Sequence, residues 1–153
     1  MSCAVLILAK LPVPGAVKTR LIPALGAEGA ARLAERMLAH SITEAIAAQI
    51  GPVELCLDVP PEHPDAQRWR AYPGVTLGCQ GEGDLGERMQ RALARALAHS
   101  QGALLIGTDL PGLGRAELRA AAQTLATHDV VFLPTEDGGY GLVGLTAGVR
   151  LGL

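Results

Sequence analysis

Apolar residues along this chain fall into two patterns, short runs and longer stretches with a helical repeat. The short runs predict strands over residues 3–9, 53–57, 75–79, 103–106 and 129–133, with 141–145 as a candidate sixth. The run over residues 3–9 is continuous, as expected for a strand covered on both faces. The longer stretches predict helices that begin near Ala27, at Asp84 and near Arg115, and a short helical piece over 65–71. This alternation predicts an α/β fold, a single domain over residues 1–153 with a mostly parallel sheet and helices on both faces.

Composition and charge narrow the class of protein. The chain has 153 residues, of which 49% are hydrophobic, and this is enough for one domain with a buried core. A formal net charge of −2 argues against a protein that holds nucleic acid on a broad basic face. No charged-then-apolar leader opens the chain and no apolar run reaches membrane length, so we expect a cytoplasmic protein with no membrane span.

The cysteines Cys3, Cys56 and Cys79 each lie in an apolar, strand-like run. We expect buried free thiols in a reducing compartment. No cysteine or histidine spacing matches a zinc site, so the sequence does not support one.

The loop after the first predicted strand is the most strongly charged candidate site. It holds both lysines of the chain, Lys10 and Lys18, with Thr19 and Arg20 beside the second. Gly15 lets backbone amides approach a ligand closely. Ligands of open α/β sheets bind at the carboxyl ends of strands, and cations with free amides at the first such turn suit a phosphate group. We therefore predict a phosphate-binding loop, with a solvated basic loop as the alternative.

The loop after the fourth predicted strand reads Gly107-Thr108-Asp109-Leu110-Pro111. Asp109 would stand at the carboxyl end of a strand, where Mg²⁺ needs only one or two protein carboxylates in addition to phosphate oxygens. Pro111 is expected to fix the direction in which the loop leaves the sheet. The alternative interpretation is an aspartate that caps a turn, which is common before Pro-Gly.

The loop after the fifth predicted strand reads Glu136-Asp137-Gly138-Gly139-Tyr140. It supplies a second carboxylate, Asp137, and a Gly-Gly pair that can lie against a substrate. Asp-Gly is also a strong hairpin signal that leads into the candidate sixth strand. The two interpretations are compatible, because a turn can hold Asp137 so that it faces the cleft.

The start of the second helix carries a capping pattern. Asp84 and Glu87 have the spacing of a capping box, which is sufficient to explain both residues. The predicted inward face of this helix begins with Leu85. A functional role at the helix N-terminus is left open for Arg88.

These loops together resemble a known family. The resemblance rests on four runs in the family's order: AKLPVPGAVKTRL, GDLGERM, IGTDLPGL and EDGGYGLVGL. They resemble a little-characterised family of bacterial GT-A-type glycosyltransferase-like proteins in the nucleotide-diphospho-sugar transferase superfamily. The first loop is also similar to that of the phospholactate guanylyltransferases and, more distantly, the molybdopterin nucleotidyltransferases. The resemblance implies a Rossmann-like three-layer α/β/α fold that binds a nucleoside phosphate through Mg²⁺ or Mn²⁺.

The resemblance also implies roles for single residues. The segment Lys18-Thr19-Arg20 would contact the nucleotide phosphates, and Asp109 would bind the metal in the Asp-x-Asp region. The segment Asp137-Gly138-Gly139 would lie on the acceptor or sugar side. Independently of the resemblance, we add Tyr140 and Arg88 as candidates for the same side. Asp109 and Asp137 are then the candidate catalytic residues.

Two departures from the family pattern stand out. Family members usually read Gly-Gly-Tyr-Tyr, whereas Gly141 follows Tyr140 here, and we expect an altered acceptor contact. The family pattern also continues through a further helix and strand, so we expect a domain that is shortened at its C-terminus.

Three functions remain open at this point. The leading hypothesis is a metal-dependent glycosyltransferase-like protein acting on a nucleoside-diphosphate sugar. The first alternative is a nucleotidyltransferase that releases pyrophosphate, and the second is a non-catalytic nucleotide-binding or assembly module. A purely structural chain would instead pair an apolar sheet edge in a homodimer.

Overall fold

The computed structural model describes residues 2–110 and 112–148, and a six-stranded sheet forms its centre. The strands are β1 (Cys3–Ala9), β2 (Val53–Leu57), β3 (Val75–Cys79), β4 (Gly102–Ile106), β5 (Val130–Pro134) and β6 (Tyr140–Thr146). They lie in the order β3-β2-β1-β4-β6-β5. The first four run parallel, and β6 runs antiparallel to both of its neighbours. The predicted mostly parallel sheet is confirmed.

Three α-helices connect the strands of the described chain: α1 (Ile22–Ala48), α2 (Leu85–Leu97) and α3 (Arg115–Leu125). A kink at Gly26, with φ 74° and ψ 165°, divides a short first turn from the rest of α1. It explains why the apolar repeat starts near Ala27. The short piece predicted after β2 is a 3₁₀ helix, Pro64–Ala71. None of the described helices is both long and apolar enough to cross a membrane.

The sheet is covered on both faces because β1 is apolar on both. Val5 and Ile7 belong to the larger core cluster, which also contains Ile42 of α1. Leu6, between them, belongs to a second cluster with Leu93 of α2. Adjacent residues of a strand point to opposite faces, so this alternation places α1 and α2 on opposite sides of the sheet. The predicted Rossmann-like three-layer α/β/α architecture is confirmed.

Two local predictions can be compared with the structure at the start of α2. The capping box is confirmed: Asp84 accepts a hydrogen bond from the Glu87 backbone N–H at 2.8 Å, and the Glu87 side chain accepts from the Asp84 N–H. The predicted inward position of Leu85 is wrong, because its side chain is exposed. Leu85 directly follows the cap, and the buried face of α2 consists of Ala92 and Leu93 further along the helix.

All three cysteines are free thiols, as expected. Cys3 and Cys56 are buried, whereas Cys79 is half-buried at the end of β3. Burial, and then the hydrogen bond to Glu54, raise the pKa of the Cys56 thiol well above its usual value. Cys56 is therefore an unreactive core residue.

Candidate functional site

The topology of the sheet creates a crevice between β1 and β4. From β1 the chain proceeds to β2 and β3 on one side, and β4 then pairs with β1 on the other side. The loops that leave β1 and β4 therefore diverge at the carboxyl edge, as at the switch point of an open α/β sheet. A cleft of about 430 Å³ opens there. Its lining includes Lys10, Lys18, Thr19, Arg20, Gly107, Thr108 and Asp109.

Lys18 joins the two loops across this cleft. Its Nζ donates to Asp109 Oδ1 at 2.8 Å, and the Lys18 side chain is 17% exposed while that of Asp109 is 80% exposed. The Lys18 backbone is left-handed, with φ 48° and ψ 45°, and it leads directly into the 3₁₀ turn Thr19–Leu21 before α1. A left-handed lysine is uncommon. The chain reverses at this point and directs the lysine stem toward the β4 loop.

The other two cations of the loop are not neutralised within the described structure. No hydrogen bond or ion pair involves the side chain of Lys10 or Arg20 among residues 2–110 and 112–148. Both side chains line the cleft. They leave positive charge available to an anionic ligand.

A second and wider part of the cleft, of about 780 Å³, adjoins the first. The two parts share Arg20 and the segment Gly107-Thr108-Asp109. The far wall of the second part consists of residues 134–137 and 139–141. The loops after β1, β4 and β5, which were predicted separately from the sequence, therefore line one continuous depression.

The turn between β5 and β6 is the predicted Asp-Gly hairpin. The Thr135 N–H donates to the Gly139 carbonyl at 2.8 Å, and Gly138 has a φ of 89°. Asp137 Oδ1 accepts from the Thr135 hydroxyl and, at 3.2 Å, from the Gly139 N–H. These bonds, the Thr135 hydroxyl first, lower the pKa of the Asp137 carboxyl from its usual value. Asp137 is ionised at neutral pH and lies on the wall of the second part of the cleft.

Of the remaining predicted residues, Tyr140 lines the cleft, and two glycines do not. Tyr140 lines the second part and packs on Phe132, with ring centroids 4.9 Å apart. Gly15, with a φ of 86°, and Gly138 form turns and line neither part. Pro111 lies outside the described residues.

Arg88 also lines neither part of the cleft. It was expected on the acceptor side, but its Nη1 donates to Gln80 Oε1 at 2.9 Å. Gln80 follows β3, which is separated from β4 in the sheet by β2 and β1. The Arg88 guanidinium is thus bound to a residue of the same chain, and this residue lies on the opposite side of β1 from the β5–β6 hairpin.

Gly141 fits closely against the β4 loop. A Cβ at this position would collide with the side chain of Leu110. The Leu110 side chain therefore lies in the space beside Gly141, and a larger residue at position 141 would require Leu110 to move.

Sequence reasoning missed two polar residues that fix the backbone beside Lys10. Asp58, directly after β2, accepts from the Leu11 N–H at 2.8 Å. Gln80, directly after β3, donates to the Ala9 carbonyl at 3.0 Å. Their location after parallel strands was the available signal, because such residues reach the same edge as the predicted loops.

A metal site made of protein side chains alone is absent from the described residues. No group of three or more His, Cys, Asp and Glu side chains there is arranged to hold a metal ion. Asp109 is a single exposed carboxylate at the boundary of the two parts. A cation at Asp109 would take most of its ligands from a bound phosphate and water.

Comparison with protein families gives one match. The model of a family described as "Uncharacterized protein conserved in bacteria (DUF2064)" matches residues 28–152. Three of the four runs that carry the family resemblance, residues 83–89, 106–113 and 136–145, lie within this match, whereas the run over residues 9–21 precedes it. No curated protein sequence matches the chain at a significant level.

Solved structures resemble this fold closely. A protein from Desulfovibrio desulfuricans G20, provisionally named a nucleotide-diphospho-sugar transferase, is 29% identical with a TM-score of 0.85, over 99% of this chain and 71% of that one. The 4-diphosphocytidyl-2C-methyl-D-erythritol synthase of Anaerococcus prevotii DSM 20548 is 11% identical with a TM-score of 0.62, over 95% and 71%. Rv0371c of Mycobacterium tuberculosis H37Rv, in complex with manganese, is 17% identical with a TM-score of 0.57, over 94% and 70%. The structural neighbours thus include nucleotide-diphospho-sugar transferases and nucleotidyltransferases.

Proposed function

The chain belongs to the bacterial DUF2064 family, and we propose that it is a metal-dependent transferase that uses a nucleotide donor, with a nucleoside-diphosphate sugar as the leading candidate. One observation carries the proposal. The cations of the β1 loop and the carboxylate of the β4 loop line a single cleft at the switch point of the sheet. Phosphate binding at such a crevice is the usual arrangement in open α/β sheets.

The donor phosphates would lie in the first part of the cleft. Lys10 and Arg20 contribute positive charge, and Lys18 adds a third cation once its bond to Asp109 is exchanged for a phosphate oxygen. Hydrogen bonds between these cationic side chains and phosphate oxygens are charge-assisted, and such bonds are stronger than hydrogen bonds between neutral groups. The role of the three cations would be to hold the donor and to stabilise the negative charge that develops on its leaving group.

The metal would be Mg²⁺ or Mn²⁺ held between Asp109 and the donor phosphates. Asp109 fits this role because its carboxylate is largely exposed and borders both parts of the cleft. A hard divalent cation is commonly bound by one or two carboxylates together with substrate phosphates. When bound, it would supply further neutralisation of the phosphate charge.

The acceptor would lie in the second part of the cleft. Asp137 presents an ionised carboxylate there, and Tyr140 presents a largely exposed ring. An ionised carboxylate can orient an acceptor hydroxyl and take its proton. Asp137 is therefore the residue that we propose for the acceptor, with Gly139 leaving room beside it.

Glycosyl transfer and nucleotidyl transfer differ in the product that leaves. The protein is incubated with Mn²⁺ and either a panel of sugar nucleotides or GTP and the other nucleoside triphosphates, and the released products are separated. Release of a nucleoside diphosphate supports the sugar-nucleotide donor, whereas release of pyrophosphate supports the nucleotidyltransferase alternative. The 29% identity to the Desulfovibrio protein favours the first result.

Nucleotide binding without turnover would favour the non-catalytic module. A ligand that binds only the folded protein stabilises it by RT ln(1 + [L]/Kd) and so raises the melting temperature, the more so at higher ligand concentration. If no nucleoside di- or triphosphate, with Mg²⁺ or Mn²⁺, changes the melting temperature, the nucleotide proposal fails altogether.

The metal assignment has its own test in Asp109→Asn. This change removes a metal ligand but also releases Lys18 from its ion pair. We expect nucleotide affinity without metal to be kept or increased, and the additional affinity that Mn²⁺ gives the wild type to disappear. Undiminished enhancement by Mn²⁺ in the variant would show that the metal binds elsewhere.

A further inference from the structure

Gln80 is a buried polar side chain at the carboxyl edge of the sheet, and it is only 6% exposed. Its Nε2 donates to the Ala9 carbonyl and to the Cys56 carbonyl, both at 3.0 Å. Its backbone N–H donates to the Leu57 carbonyl at 2.9 Å. The side chain thus reaches from the end of β3 across the end of β2 to β1.

Helix α2 holds Gln80 from the other direction. Arg88 Nη1 donates to Gln80 Oε1 at 2.9 Å, and Arg91 Nη1 donates to the Gln80 carbonyl at 2.6 Å. Gly81, with a φ of 78°, leaves space for the Arg91 guanidinium, which a Cβ there would meet. The polar atoms of the Gln80 side chain are therefore satisfied, and a satisfied buried network favours a single geometry.

The exit of β1 is fixed on both sides of Lys10. Gln80 binds the carbonyl of Ala9, and Asp58 accepts from the N–H of Leu11 at 2.8 Å. Leu11 itself is buried. Lys10 lies between these two anchored residues, and its side chain lines the first part of the cleft.

We propose that Gln80 is a positioning residue for Lys10. It connects α2, through Arg88, to the backbone of Ala9 and so sets the direction from which Lys10 enters the cleft. The ligand in this inference rests on the proposed function, because a phosphate group is what Lys10 would contact.

The physical reason is the flexibility of lysine. A lysine side chain has four rotatable bonds and loses considerable entropy when its ammonium group is held in place. A fixed backbone at Lys10 sets the point from which the side chain starts and so limits the region that its ammonium group can reach. Small displacements of a binding group are known to weaken its interactions strongly. Gln80 would therefore act on phosphate affinity without touching the phosphate.

A double-mutant cycle separates positioning from general stability. Gln80→Met keeps the length of the side chain and removes its hydrogen bonds, and Lys10→Met removes the group that Gln80 is proposed to position. The probes are inorganic pyrophosphate and GTP, each titrated with Mg²⁺ onto the full chain. We expect Gln80→Met to weaken binding about fivefold to tenfold in the wild-type background and less than about twofold in the Lys10→Met background.

Two further variants keep the test decisive. Arg88→Gln removes the contact with Gln80 Oε1 and a longer bond from Arg88 Nε to the Asp84 carbonyl at 3.3 Å, but it leaves the Gln80 bonds to Ala9 and Cys56 in place. It is therefore expected to fold and to give a smaller loss of affinity with the same dependence on Lys10. Arg115→Gln breaks a polar contact between α1 and α3, away from the cleft, and should leave pyrophosphate affinity unchanged. Equal losses with and without Lys10, or no loss, would overturn the positioning role.

Amide hydrogen exchange distinguishes failure of this inference from failure of the proposed function. Without any ligand, Gln80→Met and Arg88→Gln should speed exchange of the Leu11 N–H, which reports how firmly the exit of β1 is held. If the wild type binds neither probe, the phosphate proposal is lost, and with it the positioning of Lys10 for phosphate. If the wild type binds but Leu11 exchange and affinity stay unchanged in both variants, only the positioning inference is lost.

Discussion

Two segments form opposite walls of the cleft and are held in different ways. The exit of β1, residues 9–20, is fixed by contacts with residues 47, 71 and 91 positions away in sequence. The hairpin tip, residues 132–141, is fixed mainly by hydrogen bonds among Thr135, Asp137 and Gly139. One wall therefore depends on the assembled domain, and the other depends on its own turn.

This difference has consequences for both stability and binding. The exit of β1 is ordered only when β2, β3 and β4 are in place. Substitutions that break its contacts should therefore lower the stability of the whole domain. A turn fixed by its neighbours can change in sequence with little effect elsewhere. The stability of the domain should therefore be sensitive to substitution at the exit of β1 and tolerant of substitution at the hairpin tip.

The largest expected effect is a difference in stability between two Leu→Ala variants, one in each wall of the cleft. Leu11 at the exit of β1 is 5% exposed, whereas Leu133 at the hairpin tip is 38% exposed. Leu11→Ala should lower the free energy of unfolding by about 2–5 kcal/mol, because it removes buried contacts and leaves a cavity. Leu133→Ala should cost less than about 1 kcal/mol, since much of its side chain already meets water. Urea unfolding of both variants measures the two values, and equal losses would remove the distinction between the walls.

The next largest effect is a loss of nucleotide affinity on substitution of Lys18, with the stability of the domain nearly unchanged. Lys18→Met keeps the side-chain length but removes the charge, so we expect nucleotide binding to weaken about tenfold or more. The stability should change little, because an exposed ion pair contributes about 0–1 kcal/mol. Calorimetric titration at low and high salt measures the affinity, and the loss should shrink as salt screens the charge. Arg36→Met, an exposed change on α1 outside the cleft lining, is the matched control.

The hairpin tip was predictable from sequence because its contacts are local. Asp137-Gly138 specifies a turn through the backbone preference of glycine, and the Asp84–Glu87 capping box similarly lies within one helical turn. The strands were also predictable, since each is a short and mainly apolar run. The bounds of β1, β2 and β3 are those predicted, and β4, β5 and β6 differ from their predicted bounds by one residue at most at each end.

The polar contacts at the exit of β1 could not be predicted in the same way. The location of Asp58 and Gln80 directly after β2 and β3 indicates that they reach the carboxyl edge of the sheet, but it does not indicate that they bind Leu11 and Ala9 there. Such contacts depend on the strand order, which places β1 beside both β2 and β4. The same order brings Lys18 to Asp109, although each of these two residues was identified from its own loop.

A contact between α1 and α3, away from the cleft, should make the stability of the domain depend on pH. Glu44 of α1 binds Arg115 of α3, with Oε2 2.6 Å from Nη2, and the side chain of Arg115 holds the pKa of Glu44 at about 2, below its ordinary value of 4.5. A lowered pKa in the folded state means that the contact stabilises fully above pH 4.5 and loses this contribution as the pH falls toward 2. Urea unfolding between pH 6 and pH 2 should therefore show a shallower decline of stability in Arg115→Gln. A decline as steep as in the wild type would mean that the Glu44–Arg115 contact does not contribute to acid sensitivity.

The smallest expected effect is confined to the hairpin tip. Thr135→Val removes the hydroxyl that most strongly lowers the pKa of Asp137, so this pKa should rise toward its usual value while the Gly139 N–H keeps part of the effect. The titration of Asp137 can be followed by NMR of its carboxyl carbon. The midpoint of urea unfolding should hardly move, because the bond is exposed and local. If Thr135→Val instead lowered the stability as much as Leu11→Ala, the hairpin tip would be an integral part of the domain core, and the contrast between the two walls would have to be abandoned.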